Sequence, residues 1–243
     1  MTDKLLLNID GPIATITNNN PDKHNAFDDD MDVALFGMLE QLGATPEVRA
    51  VVWKGNGTSF SSGRDVSAFG VVTDADDHRA LMRRGHRGIQ KLWELDAPIV
   101  VCHKGWSMGG SFQRAMLCDV RIASTDARFR LPELGHGVIP DTGGVAVLYA
   151  LCGHGLVNDM VLSGRTLDAQ EALSHGIVSR IVDPQDLEST AYDIAERITK
   201  VPPLTLRVYR EMVRNLSVPA IRASMVDEAI GQTYLRFATG AQQ

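Results

Sequence analysis

The sequence predicts an α/β fold carrying a helical extension at its C-terminal end. Three observations predict it: short apolar runs bounded by Gly, Pro and Asn alternate with amphipathic helical patterns, the alternation stops near residue 186, and only helical patterns follow. With 243 residues the chain can bury roughly 70% of its unfolded surface in one core, so one large unit is expected. Hydrophobic residues at 44% and charged residues at 22% fit a compact chain rather than a disordered one.

Taken in order, "KLLLNID" and "IATITN" alternate around Gly11-Pro12 and predict an opening hairpin, followed by the polar loop "NNNPDKHN". Asp28 is placed to cap a helix whose apolar positions Met31, Ala34, Leu35, Met38, Leu39 and Leu42 recur at helical spacing. The strand "RAVVWKG" ends at "GNG", and residues 78 to 95 form a helical pattern. Pro98 opens the buried strand "PIVVCHK", a glycine turn follows, and "SFQRAMLC" starts a helix. The strand "DVRIAS" leads into the irregular stretch "DARFRLPELGHGVIPDTGG", then helical segments around 143–151 and 155–163. Asp168 and Glu171 have capping-box spacing for "AQEALSH", which Gly176 closes before the strand "IVSRIV". In the tail, Pro202-Pro203 and Pro219 are expected to interrupt the helices.

Composition excludes several function classes. A net charge of −6 offers no basic patch for nucleic acid. No run approaches membrane-spanning length and the start has no secretory signal pattern, so a cytoplasmic location away from membranes is expected. Cys102, Cys118 and Cys152 are far apart and fit buried reduced thiols, and the seven histidines show no paired metal spacing; no metal is expected.

Two glycine turns carry the chemistry. Gly105-Trp106-Ser107-Met108-Gly109 spells G-x-S-x-G, the nucleophile elbow of α/β-hydrolases, between a predicted strand and a predicted helix. An elbow serine needs an acid and then a histidine downstream, plus a second oxyanion donor upstream. His136, His154 and His175 are the downstream candidates and no H-G-G-G precedes the turn, which makes a serine hydrolase using Ser107 the lesser reading. The second turn lies in "TSFSSGRDVSAF", again after a strand.

Together, "FSSGRD", "GWSMGGSFQRAMLCD" and "FRLPELGHGVIPDTGG" closely resemble, in order and spacing, the three signature blocks of the enoyl-CoA hydratase/isomerase (crotonase) family; the resemblance runs from about residue 5 to 215. It implies a spiral of β-β-α turns over residues 1–190, a helical oligomerisation region over 191–243 that builds a trimer or dimer of trimers, and acyl-CoA substrates with no cofactor beyond the coenzyme A they carry. It also implies that the amides of Arg64 and Gly110 bind the thioester oxygen. Two amides aimed at a carbonyl oxygen stabilise an enolate as it forms.

Hydratases of the family use two glutamates. Here the resemblance places one at Glu133, while the other position holds Gln113, whose amide orients water but exchanges no proton at neutral pH. One base suffices to move a double bond, so isomerisation of an enoyl- or dienoyl-CoA is favoured, hydration comes next, and a non-catalytic acyl-CoA-binding paralogue follows. Asp141, eight residues after Glu133, is similar to the acidic partner in dienoyl-CoA isomerases and is equally well placed to cap a helix at "TGGVAVLYAL". The resemblance assigns Lys23, His24 and Ala26 to coenzyme A, with Lys23 or Arg64 available to its phosphates, and Asp65 to a cap or turn. The long side chain of Arg64 is expected to narrow the thioester pocket. The sequence stops at "TYLRFATGAQQ", before the segment with which family members commonly finish, so contacts from that segment are expected to be missing.

Overall fold

Alternating residues build the opening hairpin: β1 (Leu5–Asp10) pairs antiparallel with β2 (Ile13–Asn18) across Gly11. In the computed structural model, which describes residues 2–68 and 74–238, this hairpin is the edge of a six-stranded sheet. Its order is β1-β2-β3-β4-β6-β9, with β3 (Ala50–Gly55), β4 (Ile99–His103), β6 (Val120–Ser124) and β9 (Arg180–Val182) all parallel to β2. A second sheet holds β5 (Trp106–Met108), β7 (Arg128–Arg130) and β8 (Leu167–Asp168), and isolated bridges extend the same pairing from Ser107 to Ser61 and from Arg64 to Phe27. Each turn of chain thus gives one segment to each sheet and then a helix, the expected β-β-α spiral.

The central strands β3 and β4 are covered on both faces, which is why they are apolar at nearly every position. Val51, Trp53, Ile99 and Val101 face a core closed by α1 (Asp29–Gly43) and α2 (Ala75–Glu94). Ala50, Val52, Val100 and Cys102 face the other way, against Leu187, Ala191, Ile194 and Ala195 of α6 (Leu187–Thr199). α1 buries Met31, Leu35, Leu39 and Leu42, and Asp28 accepts the Met31 amide at 3.0 Å as predicted. α2 starts three residues before the predicted 78 because Asp74 accepts the amides of Asp76 and Asp77. The capping box on α5 (Ala169–Ser174) has both of its bonds, Glu171 amide to Asp168 at 2.8 Å and Asp168 amide to Glu171 at 3.0 Å.

Several expectations are corrected. "PIVVCHKGWSM" is two strands in different sheets, because Gly105 (φ +47°) turns the chain where a Cβ would lie 2.0 Å from the Thr58 carbonyl oxygen. The stretch beginning at Asp126 is not wholly irregular: β7 lies within it, and a 3-10 turn spans Glu133–His136. The two helical segments expected after residue 143 are both present and abut in α4 (Gly144–Leu162), where non-helical Gly153 (φ 72°, ψ 173°) separates them. Contrary to the sequence expectation, α4 has the length and mean hydropathy, 1.5, of a membrane span. The bend leaves two halves each far shorter than the roughly 20 residues a span needs, and Leu148, Val157 and Met160 are built into a protein core. Pro219 does not interrupt the tail: α7 (Pro203–Ala238) runs through it. Its ring sits on an exposed face, so only one backbone bond is lost and the carbonyl four residues back can turn to water. α7 folds back over the first core, which Ile221 and Met225 enter.

Candidate active site

The site begins with two glycines in conformations that side chains rarely adopt. Gly63 (φ +91°) and Gly109 (φ +53°) meet back to back: a Cβ on Gly63 would lie 2.9 Å from the Met108 carbonyl oxygen, and one on Gly109 would lie 3.9 Å from the Gly63 Cα and 3.3 Å from Glu133 Oε1. This approach brings the next residues, Arg64 and Gly110, into the lining of one cleft of about 520 Å³. Gly110 lies in the first turn of α3 (Gly109–Met116), where backbone amides have no acceptor within the helix. The Arg64 amide likewise has no acceptor among the described residues.

Glu133 enters the same cleft from the 3-10 turn after β7. Gln113, fully buried on α3, donates from Nε2 to Glu133 Oε1 at 2.8 Å, while its own Oε1 accepts the Thr142 amide at 3.2 Å. Gln113 therefore pins one carboxyl oxygen. The other, Oε2, is buried without a partner among the described residues, and burial pushes the Glu133 carboxyl up to about 7. A carboxyl poised near neutrality is suited to taking and returning a proton.

Asp141 is half-buried behind the lining and accepts Gln232 Nε2 at 3.3 Å. Burial raises its carboxyl to about 6, against the pull of Arg114 and Arg64. It does not cap α4, whose N-cap is Gly143 with no side-chain bond. Ala26 and Lys23 line the cleft; Lys23 pairs with Asp65 at 2.8 Å and remains exposed. Asp65 is a turn residue, accepting the Ser67 amide at 3.0 Å, and the Lys23 and Ser67 bonds hold its carboxyl down at about 2. His24 lies outside the lining, with Nδ1 at 3.0 Å from Ser59 Oγ. The Arg64 guanidinium is folded onto α1, paired with Asp29 and, at 3.2 Å, with Asp32, which also holds Arg114 at 2.7 Å. It neither stands free for phosphates nor extends across the pocket as expected.

Over residues 8–234 the chain matches the family model described as enoyl-CoA hydratase/isomerase. The chain belongs to the enoyl-CoA hydratase/isomerase family. It is 34% identical over 220 residues to the carnitinyl-CoA dehydratase of Salmonella typhi, covering 89% of this chain and 82% of that one. The solved enoyl-CoA hydratase/isomerase of Pseudoalteromonas atlantica T6c superposes with a TM-score of 0.87 at 27% identity, covering 97% of this chain and 92% of that one. Pseudomonas aeruginosa DspI gives a TM-score of 0.83 at 29% identity, with 98% and 97% covered. The crotonase fold implied by the three blocks is the observed fold.

In this hydratase/isomerase family member the serine of the G-x-S-x-G run is sealed away. Ser107 is fully buried in the middle of β5, and its Oγ lies 2.7 Å from Nδ1 of His103, a residue upstream rather than downstream. His103 is enclosed by the rings of Phe60, Phe112 and Phe129, and burial pushes it down to about 3. A serine and a histidine without access to water or substrate are structural.

Three polar residues near the site were not singled out from sequence. Glu228 of α7, 6% exposed, accepts the Gly143 amide at 2.9 Å and the Ser224 hydroxyl at 2.7 Å, and burial raises its carboxyl to about 7. His86 donates to the Asp141 carbonyl at 2.8 Å. Their signal was positional: Glu228 follows Ile221 and Met225 on the buried helical stripe. Arg130 lines the cleft and flanks buried Phe129 on β7, an alternation visible in "RFRLPE".

Proposed function

We propose that this family member moves a double bond along the acyl chain of an enoyl- or dienoyl-CoA through a thioester enolate. One observation carries the reading: Glu133 has one oxygen pinned by Gln113, the other buried and unpartnered, and a carboxyl raised to about 7 at the lip of the Gly63/Gly109 turn. Ionised Glu133 removes a proton from the carbon α to the thioester, and the electron pair passes into the thioester carbonyl. The oxygen takes the charge between the amides of Arg64 and Gly110, neither of which has another acceptor among the described residues. Glu133, now protonated, returns the proton two carbons along, and the double bond has moved with no net change in protons. Gln113 orients the base and exchanges nothing. Lys23 and Ala26 form the coenzyme A end, with His24 behind the lining, and the exposed Lys23 ammonium can exchange Asp65 for a phosphate.

Addition or loss of water is the second reading, favoured by the likeness to a carnitinyl-CoA dehydratase and by Asp141, a second carboxyl raised to about 6. The deciding experiment incubates saturated, 2-enoyl, 3-enoyl and dienoyl-CoA esters with the protein in D₂O and follows them by mass spectrometry. Deuterium incorporation without cleavage or hydration supports isomerisation; a gain or loss of water supports the second reading. Glu133→Gln should lower incorporation by roughly 10²–10⁴, the usual worth of a general base. Full incorporation by that variant would remove Glu133 from the mechanism.

A further inference from the structure

Arg130 is an arginine without an acid. It lies on β7 opposite Met108 of β5, the residue that leads into Gly109 and Gly110, and three residues before Glu133. Alternation about buried Phe129 turns it outward, where it lines the cleft. Other arginine side chains at comparable depth each hold an acceptor: Arg64 and Arg114 hold Asp32, Arg210 holds Asp119, Arg121 holds the carbonyls of Cys118 and Ile177, and Arg214 holds the Leu95 carbonyl, although Nε of Arg114 and of Arg214 is itself buried without a partner. The Arg130 side chain has no hydrogen bond or ion pair among the described residues, and its Nε is buried without an acceptor. Its guanidinium lies beside Gly164 (φ +70°), where a Cβ would come within 3.2 Å of Nη2. The glycine leaves the head group its room.

Two buried charged atoms without partners, Arg130 Nε and Glu133 Oε2, therefore line one cleft and are not paired with each other. A half-buried guanidinium with no carboxylate beside it and a buried Nε–H without an acceptor is suited to a partner that arrives with the ligand. We propose that Arg130 binds a carboxylate on the acyl group, making the substrate the coenzyme A monothioester of an unsaturated dicarboxylic acid. This rests on the acyl-CoA reading above. The guanidinium fork matches a carboxylate or a phosphate oxyanion equally. Position favours the carboxylate, because Arg130 stands beside the glycine pair and the base, whereas Lys23 and Ala26 belong to the other chain segments that line the cleft.

The test is calorimetric titration of wild type, Arg130→Met and Arg130→Lys with glutaconyl-CoA and the neutral 2-pentenoyl-CoA, repeated with the corresponding pantetheine thioesters. Wild type should prefer the carboxylated ester; Arg130→Met should lower that preference by roughly 10- to 100-fold, and Arg130→Lys by less, since it keeps the charge and loses the fork. The preference should survive in the pantetheine series. Equal weakening of both coenzyme A esters that disappears with pantetheine thioesters would assign Arg130 to a phosphate and overturn the proposal, as would an unchanged preference in Arg130→Met. The Arg130 side chain holds no bond that folding needs, and both variants keep the backbone pairing with β5; thermal denaturation of both verifies it. Affinity and deuterium incorporation are separate readouts, so a wild type that binds selectively but incorporates no deuterium would sink the enolate reading and leave this one standing.

Discussion

Glu133 meets two demands that usually conflict: a base must be ionised to act, yet must hold a proton well enough to return it. Burial, which disfavours the carboxylate, brings the carboxyl to about 7 and reconciles them near neutral pH. Below that value the group is protonated and idle as a base; above it the base is fully available. The expected profile is a kcat/KM for isomerisation that rises about tenfold per pH unit on the acid side, bends near pH 7 and then levels. A rate that levels by pH 5 would mean that the carboxyl is ionised like an ordinary glutamate, and that its burial has no part in catalysis. Gln113 contributes by what it lacks: a carboxyl 2.8 Å from Glu133 would share one macroscopic titration with it, whereas the amide leaves Glu133 to titrate against Asp141 alone.

At the scale of elements, the site depends on α7 as much as on the spiral. Glu228 reaches from α7 to the Gly143 amide, directly after Asp141-Thr142, and Thr142 in turn holds the Gln113 carbonyl oxygen. The Glu228 carboxyl is raised from 4.5 to about 7, so between those values the folded state keeps a proton that the unfolded chain has released. The stability this group contributes therefore falls as pH climbs through that window. Glu228→Gln, which still accepts the amide and does not titrate, should gain on wild type as pH rises from 4.5 to 7, by at most about 3 kcal/mol. Paired denaturation curves at pH 5 and pH 8 measure it; a constant difference would show that Glu228 titrates alike in both states. Local grammar made much of this level readable: the Asp28 cap and the capping box at Asp168 are fixed by neighbours a few residues away. What escaped depends on distant partners. The His103–Ser107 pair was hidden because Gly105 bends the chain into a second sheet between them, and Glu228 acts 85 residues from the amide it holds. Asp141 had the spacing of a cap, but Gly143 in a left-handed conformation took that position.

For the molecule as a whole, the question is what covers α7. Its inner side is spent on Ile221 and Met225 in the core, yet Leu204, Val208, Met212 and Leu216, four residues apart, form an exposed stripe, with Leu216 81% exposed. Val226, Ile230 and Tyr234 continue the same spacing beyond Pro219. Helices with one apolar stripe bury it and keep the other face polar; a second apolar stripe in water marks an association surface. A copy of this chain is the partner proposed, consistent with the trimer implied by the family blocks. Light scattering and native mass spectrometry should find three or six copies of the 26.5 kDa chain. Met212→Asp with Leu216→Asp should shift that mass toward one copy, since charges at exposed positions cost a folded monomer little but are costly in an apolar interface. A wild type that stays at one copy at tens of micromolar would leave the stripe without this occupant. A double variant that keeps three copies would place the interface elsewhere on the spiral.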